Sequence, residues 1–371
     1  MNRNYVERKI IRKLHLGGLC YKVLDLLQGE DKITNYNPKE LKEYVSSIHS
    51  DKGGSCLCEN TIEEPSCDLQ IIVPVYNAEM YLRECINSIL NQETDYTYHV
   101  VCVNDGSNDS SRDILDEYSK DSRITIIDKE NGGASSARNI ALRRIFGRYI
   151  TFVDSDDRLP QRAIQALMDV AEEKNVEIVR GSYTYFRVAD TKSKVVYANE
   201  MVRPFKTAGV PWGAIYKNEI WRNCCFPDGY WYEDTNCFVF SSIAKTACMT
   251  DAMVYDYRLN NAGMTHVGIG HTKCIDSFYV TRRVLKDIKE LGKIDCQDLY
   301  ECMLHQLYTN YIRIVDLGNV KLDRAVFLLS CDMIETYFPN MKSTTPFGKQ
   351  MEEIIRNRDF QHFRLNCLYR W

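Results

Sequence analysis

No window of this 371-residue chain approaches the roughly 18 consecutive apolar residues that a membrane-spanning helix needs, so the chain is expected not to cross a bilayer. Neither sign of charge dominates. Lys and Arg number 47 against 51 Asp and Glu, a net of -4, which excludes the global basic field that gathers nucleic acid. Any anionic ligand must therefore be held by a local site. Internal repeats and low-complexity tracts are also missing, and no secretory signal precedes the 15 cysteines, which are spread from Cys20 to Cys367. The expectation is reduced thiols in a cytoplasmic protein. Cys56, Cys58 and Cys67, with His49 upstream, make the one compact group. A zinc site can be drawn through them, but C-x-C is not a usual ligand spacing, and a loop with incidental cysteines is the preferred reading.

What is present suffices for one large domain and a smaller one, at 44% hydrophobic composition. Near the start, Val6, Ile10, Leu14, Leu24 and Leu27 recur at helical spacing among Arg3, Arg8, Lys9, Arg12, Lys13 and Lys22. Such a helix either lies on an anionic membrane surface as a peripheral contact or packs on the body with its charges in water. Gly53, Gly54, Ser55 and Pro65 then mark a linker. The chain divides on this reading into an N-terminal helical segment and linker (1–67), a catalytic body (68–270) and a helical C-terminal region (271–371).

The body alternates. Strands are expected at 69–75, 99–103, 124–127 and 149–153, with helices at 79–91, 110–119, 135–144 and 161–174. That order predicts an α/β fold, a mostly parallel Rossmann-like sheet flanked by helices. Short strands are expected at 177–181 and 195–197, and the apolar spacing turns helical from 273 to 337, opening with Ile275, Phe278, Tyr279, Val284, Leu285 and Ile288.

Open parallel sheets bind ligands beyond the carboxyl ends of their strands. Four successive strand ends here are polar: Tyr76-Asn77, Asn104-Asp105-Gly106-Ser107, Lys129-Glu130-Asn131-Gly132-Gly133 and Asp154-Ser155-Asp156-Asp157. Asp154 and Asp156 on a short turn are hard oxygen ligands of the kind that Mg2+ or Mn2+ takes together with substrate phosphates; a solvated acidic turn is the bland alternative. Asp105 can accept the imide N–H of uracil, although Asn-Asp-Gly-Ser is also simply a good turn. Arg138, on the helix after Gly133, offers a cationic fork to phosphate or to the acidic turn. Glu233-Asp234 stands among Tyr230, Trp231 and Tyr232, where apolar surroundings can raise a carboxylate to the basicity a general base needs. Arg258, followed by Asn260, Gly263, Thr265 and His266, reads as a cationic loop able to fold over a diphosphate leaving group.

Taken in order, Ile71-Ile72-Val73-Pro74-Val75-Tyr76-Asn77, Asn104-Asp105-Gly106-Ser107, Asn131-Gly132-Gly133-Ala134 with Ala137-Arg138-Asn139, Phe152-Val153-Asp154-Ser155-Asp156-Asp157 and Glu233-Asp234 resemble family-2 glycosyltransferases of the GT-A fold. The resemblance spans residues 69–266 and implies a metal-dependent, inverting transfer from a UDP-sugar to a glycan or lipid-linked glycan acceptor. It implies uridine contacts for Pro74, Tyr76 and Asp105, with Asn77 also donor-binding, metal ligation for Asp154 and Asp156 at the donor, a phosphate or carboxylate contact for Arg138, and diphosphate contacts for Arg258, Thr265 and His266. It further implies that Asp234 is the acceptor-side base, with Glu233 beside it. Gly263 stands where the family's later loop often has a serine, and the Gln-x-x-Arg-Trp motif of processive synthases is missing, which implies a non-processive enzyme of the capsule or exopolysaccharide kind. Two rivals are a nucleotide-sugar-forming nucleotidyltransferase, whose Gly-rich loop is replaced here by Tyr76-Asn77-Ala78-Glu79, and a catalytically inactive sugar-binding subunit.

Overall fold

The alternating segments build one sheet in the computed structural model, which describes residues 17, 21, 33, 35–187, 190–232, 237–260 and 270–370. The described chain divides into two compact units, one of residues 53–229 and 237–260, the other of 35–52, 230–232 and 270–370, with residues 17, 21 and 33 also in the second.

The first unit holds nine strands: β1 (Thr61–Val75), β2 (Tyr98–Asp105), β3 (Ile124–Lys129), β4 (Arg144–Phe152), β5 (Ile178–Arg187), β6 (Asp190–Val195), β7 (Glu200–Val202), β8 (Ala214–Lys217) and β9 (Ala247–Arg258). Their order is β3-β2-β1-β4-β8-β5-β9-β7, with β6 paired to β5. The first four lie parallel, whereas β8 inserts antiparallel between β4 and β5. Ile71, Ile72, Val73 and Val75 are all fully buried, the unbroken apolar run of a strand covered on both faces. Helices α2 (Leu82–Leu90), α3 (Ser111–Glu117) and α5 (Ala163–Lys174) bring Leu82, Ile86, Ile114, Leu115 and Met168 into that core, and α4 (Ala134–Leu142) packs against β1, β2 and β4.

Three segments depart from the expected boundaries. β1 begins at Thr61 rather than 69, because Thr61 and Ile62 pair with Arg144 and Ile145 before a register shift. Residues 61–67 are mostly exposed and so carry no apolar signal. The shift is bridged by the wholly buried Gln70, whose amide accepts the Phe146 N–H at 3.1 Å and donates to Arg144 C=O at 3.2 Å. β4 consequently begins at Arg144, five residues early. A Cβ on its Gly147 would stand 2.6 Å from Gln70 N, so glycine permits the close approach of the two strands. The short strand expected at 195–197 ends at Val195, where the β5–β6 hairpin stops pairing.

The second unit is helical: α1 (Pro38–Ile48), α7 (Asp276–Glu290), α8 (Gln297–Ile314), α9 (Val320–Tyr337), α10 (Pro346–Arg356) and α11 (Phe360–Leu365), while α6 (Cys237–Ile243) belongs to the first. Capping sets several of these starts. Asn37 accepts the Lys39 N–H with Pro38 at the first turn, Asn319 accepts from Leu322, and Thr345 accepts from Gly348 with Pro346 following. α1 packs on α9, and Tyr44 Oη and the Asn319 amide are joined at 3.1 Å. No helix among the described residues is long and apolar enough to cross a membrane. The basic apolar segment near the start lies outside the described residues, apart from Gly17 and Tyr21.

Candidate active site

The turns that follow β1 and β2 lock together before any ligand is considered. Asn77 takes a left-handed conformation (φ 47°), its N–H donates to Ser107 Oγ at 3.1 Å, and its side-chain oxygen accepts the Asn108 N–H at 2.8 Å. A short polar side chain tolerates that backbone region best. Asn77 thus shapes the loop. Pro74 falls past the last β1–β4 rung, Ile72 to Phe152, where its missing N–H costs no ladder bond, and it leads to Tyr76, which is 49% exposed and offers an aromatic face.

Asp105 ends β2 and is 2% exposed. Its two carboxylate oxygens accept the Gly132 and Gly133 N–H groups at 2.9 and 2.7 Å, and Lys129 forms an ion pair with it. Three of about four acceptor positions are filled, leaving one for a ligand N–H. Gly106 is required between them, since its φ is 68° and a Cβ would meet Asn131 N at 2.8 Å. One carboxylate therefore fixes the loop that starts α4.

Asp154, Asp156 and Asp157 leave β4 on a turn held from several sides. Arg138, 2% exposed, donates to Asp154 Oδ1 at 2.7 Å while its guanidinium stands 5.2 Å from the Phe226 ring centre. Burial pushes the Asp154 carboxyl above the usual aspartate range; Arg138 pulls it down and Asp156 adds repulsion. Asp157 is fully inside, accepting the Arg258 N–H at 2.6 Å and the Tyr255 hydroxyl at 2.8 Å, and burial lifts it well above that range, with Asp154 and Asp156 adding to the rise. Arg258 is itself 5% exposed: Nε donates to Asp156 C=O at 2.6 Å, the guanidinium pairs with Glu84, and it stands 4.4 Å from the ring centres of both Tyr81 and Phe186. Trp212 stacks on Tyr255 at 4.5 Å and on Tyr257 at 5.2 Å, bracing β9 beneath the turn.

The structure thus gathers Pro74, Tyr76, Asn77, Asp105, Arg138, Asp154, Asp156 and Arg258 along one edge of the sheet. Glu233, Asp234, Thr265 and His266 lie outside the described residues. Lys129, Asp157, Glu84 and Tyr255 were not singled out from sequence. Asp157 and Tyr255 are 98 residues apart, and neither has a local pattern that announces the pairing. The cysteine grouping does not form as drawn, because Cys67 turns its thiol to Leu69 C=O on β1 and His49 pairs with Asp276 in the helical unit.

Comparison with known proteins agrees with this arrangement. Residues 70–226 match the family model Glycosyl transferase family 2. The chain is 34% identical over 221 residues to glycosyltransferase GlyA of Streptococcus pneumoniae, covering 54% of this chain and 32% of GlyA. It is 33% identical over 219 residues to the uncharacterized glycosyltransferase EpsJ of Bacillus subtilis, covering 54% of this chain and 63% of EpsJ. The S. aureus TarS 1-349 structure in complex with UDP-GlcNAc has the same fold, with a TM-score of 0.62 at 19% identity over 80% of this chain and 89% of that one. The fold and the strand-end position of the site are those of the GT-A fold. The matched stretch is similar to glycosyltransferase family 2, and both curated relatives are named glycosyltransferases. The chain spans between about a third and two-thirds of the length of these two curated relatives.

Proposed function

We propose that this chain transfers a sugar from a UDP-sugar to a hydroxyl of a polysaccharide or lipid-linked oligosaccharide, with inversion at the anomeric carbon. The observation that carries the reading is the Asp154–Asp156 turn, held rigid by Arg138 and Arg258 at the same sheet edge as Tyr76 and Asp105. Tyr76 stacks the uracil ring and Asp105 accepts its imide N–H, while the Gly132-Gly133 backbone leaves room for the ribose.

A divalent cation fits the donor set. Asp154 and Asp156 would hold it: Arg138 occupies Oδ1 of Asp154, leaving Oδ2, and Asp156 is partly exposed. Among the described residues no three His, Cys, Asp or Glu side chains form a protein-only cage. Two carboxylates completed by water and diphosphate oxygens is the arrangement Mg2+ and Mn2+ favour. When bound, such an ion supplies positive charge to the leaving diphosphate. Arg138 holds the Asp154 carboxylate in place, and Arg258 acts through the turn by anchoring Asp156 and Asp157. Asp234 takes the proton of the acceptor hydroxyl as its oxygen attacks the anomeric carbon opposite the breaking bond to diphosphate, and Glu233 orients the acceptor. The basic segment before residue 31 would bring the enzyme to an anionic membrane surface that carries a lipid-linked acceptor.

The test is slow hydrolysis of UDP-glucose, UDP-galactose and their N-acetylamino forms, which needs no known acceptor. One of them should release UDP in Mn2+ or Mg2+ and stop in excess chelator, and Asp156→Ala should abolish release while leaving the thermal melt in place. Full turnover in chelator would overturn the metal assignment; release from none of the four would overturn the donor assignment.

A further inference from the structure

Away from the strand ends, residues 54–60 and 222–228 run antiparallel. Leu57 bridges Cys224, the Cys225 N–H donates to Cys56 C=O at 2.8 Å, the Asn60 N–H donates to Arg222 C=O at 2.9 Å, and the Gly54 N–H donates to Asp228 C=O at 2.8 Å. This register places Cys56 directly opposite Cys225, with Cys58 two residues along on the same face. Cys58 and Cys225 are thus diagonal neighbours on one face of the paired segments and interact electrostatically. Their settings differ. Cys58 is half-buried and open to a small reagent, whereas Cys225 is 7% exposed and its sulfur also lies 3.6 Å from Ser55 C=O.

The asymmetry extends to reactivity. Interaction with Cys225 and then Asn60 lowers the Cys58 thiol from its ordinary range against burial and the Asp228 charge, and interaction with Cys58 together with burial pushes Cys225 up. A half-buried thiol beside a buried second one is the arrangement of an attacking and a resolving cysteine. Both belong to the fourteen described cysteines whose thiols are free.

We propose that Cys58 and Cys225 form a redox-sensitive modification site that small-molecule disulfides oxidise to a single cross-link. The Cys58 thiolate attacks one sulfur of the reagent and expels the other half as a thiolate. Cys225 then loses its proton and attacks the Cys58 sulfur of the mixed disulfide, expelling the second half. The two cysteines give up two electrons and two protons, and the reagent leaves as two thiols. The cross-link falls one residue from Phe226, whose N–H and C=O are bonded to the Asn139 amide at 2.8 and 2.7 Å and whose ring supports Arg138. Oxidation thus fixes the segment on which the site arginine rests. The inference does not depend on the donor or acceptor.

The full chain, fully reduced, is exposed to glutathione disulfide, quenched with iodoacetamide at intervals and mapped by peptide mass. The Cys58–Cys225 linked peptide should form about tenfold faster than any modification of Cys67, Cys296 or Cys302, the other half-buried thiols among the described residues. Cys225→Ser should trap glutathione on Cys58, and Cys58→Ser should abolish both products. The proposal fails if Cys58 stays open to iodoacetamide while those thiols react, or if it links to Cys56 or Cys224 instead. It fails equally if folded Cys225→Ser traps nothing. Should that variant not fold, the wild-type time course and Cys58→Ser decide alone.

Discussion

Arg138 and Asp154 meet at 2.7 Å with unequal burial: the guanidinium is 2% exposed and the carboxylate 29%. The arginine is committed to the interior, with Phe226 against its face, while the aspartate keeps an edge toward the strand ends. Arg138→Met preserves packing on Phe226 and removes the charge. Breaking a fully buried pair costs about 3–5 kcal/mol. Because Asp154 retains contact with water, the expected loss is on the order of 2 kcal/mol, read as a lower urea midpoint at unchanged slope. A variant as stable as the wild type would show that the pair does not hold the turn.

Asp105→Asn tests the carboxylate that organises the loop before α4. The amide keeps one acceptor oxygen and turns two donors toward Gly132 N–H, Gly133 N–H and Lys129, leaving a buried donor unmatched. Such a loss costs roughly 1–3 kcal/mol. If the same group also accepts from the ligand, UDP affinity measured by calorimetry should fall together with stability. Weaker UDP binding at unchanged stability would assign Asp105 to the ligand alone.

Arg258→Lys distinguishes a clamp from a phosphate contact. Lysine keeps the charge but cannot reach Asp156 C=O and Glu84 together while packing against Tyr81 and Phe186. If Arg258 anchors the turn, half-saturation by Mn2+ should rise about tenfold, equivalent to ~1.4 kcal/mol, with the UDP affinity measured at saturating metal little changed. An unchanged metal requirement with weaker UDP binding would place the guanidinium on the diphosphate.

The order of strands and helices was legible because parallel sheets write a strong apolar code, and Ile71 to Val75 could hardly be read as anything else. Boundaries were less so. The start of β1 pairs through exposed residues 61–67, and its register shift is bridged by the buried amide of Gln70, a long-range compensation with no local signature. At the site, residues that present their chemistry at a strand end were visible, as with Asp154, Asp156 and Asp105. Residues that support them from afar were not: Glu84 reaches Arg258 across 174 positions, and Tyr255 reaches Asp157 across 98. Arg258 reads from sequence as part of a cationic loop able to fold over a diphosphate, and the structure buries its guanidinium against Tyr81 and Phe186. Sequence gives its charge; only packing gives its orientation.

The most direct test of the central claim is Asp234→Asn, which keeps the side chain's shape and removes its ability to accept a proton. Calorimetry should find UDP-sugar binding almost unchanged, since Tyr76, Asp105, Asp154 and Asp156 are untouched. A coupled assay should find transfer to the acceptor down by roughly a hundredfold to ten-thousandfold, mainly in kcat, with Glu233→Gln costing less. Near-normal transfer by Asp234→Asn, or loss of donor binding, would contradict the assignment of the base.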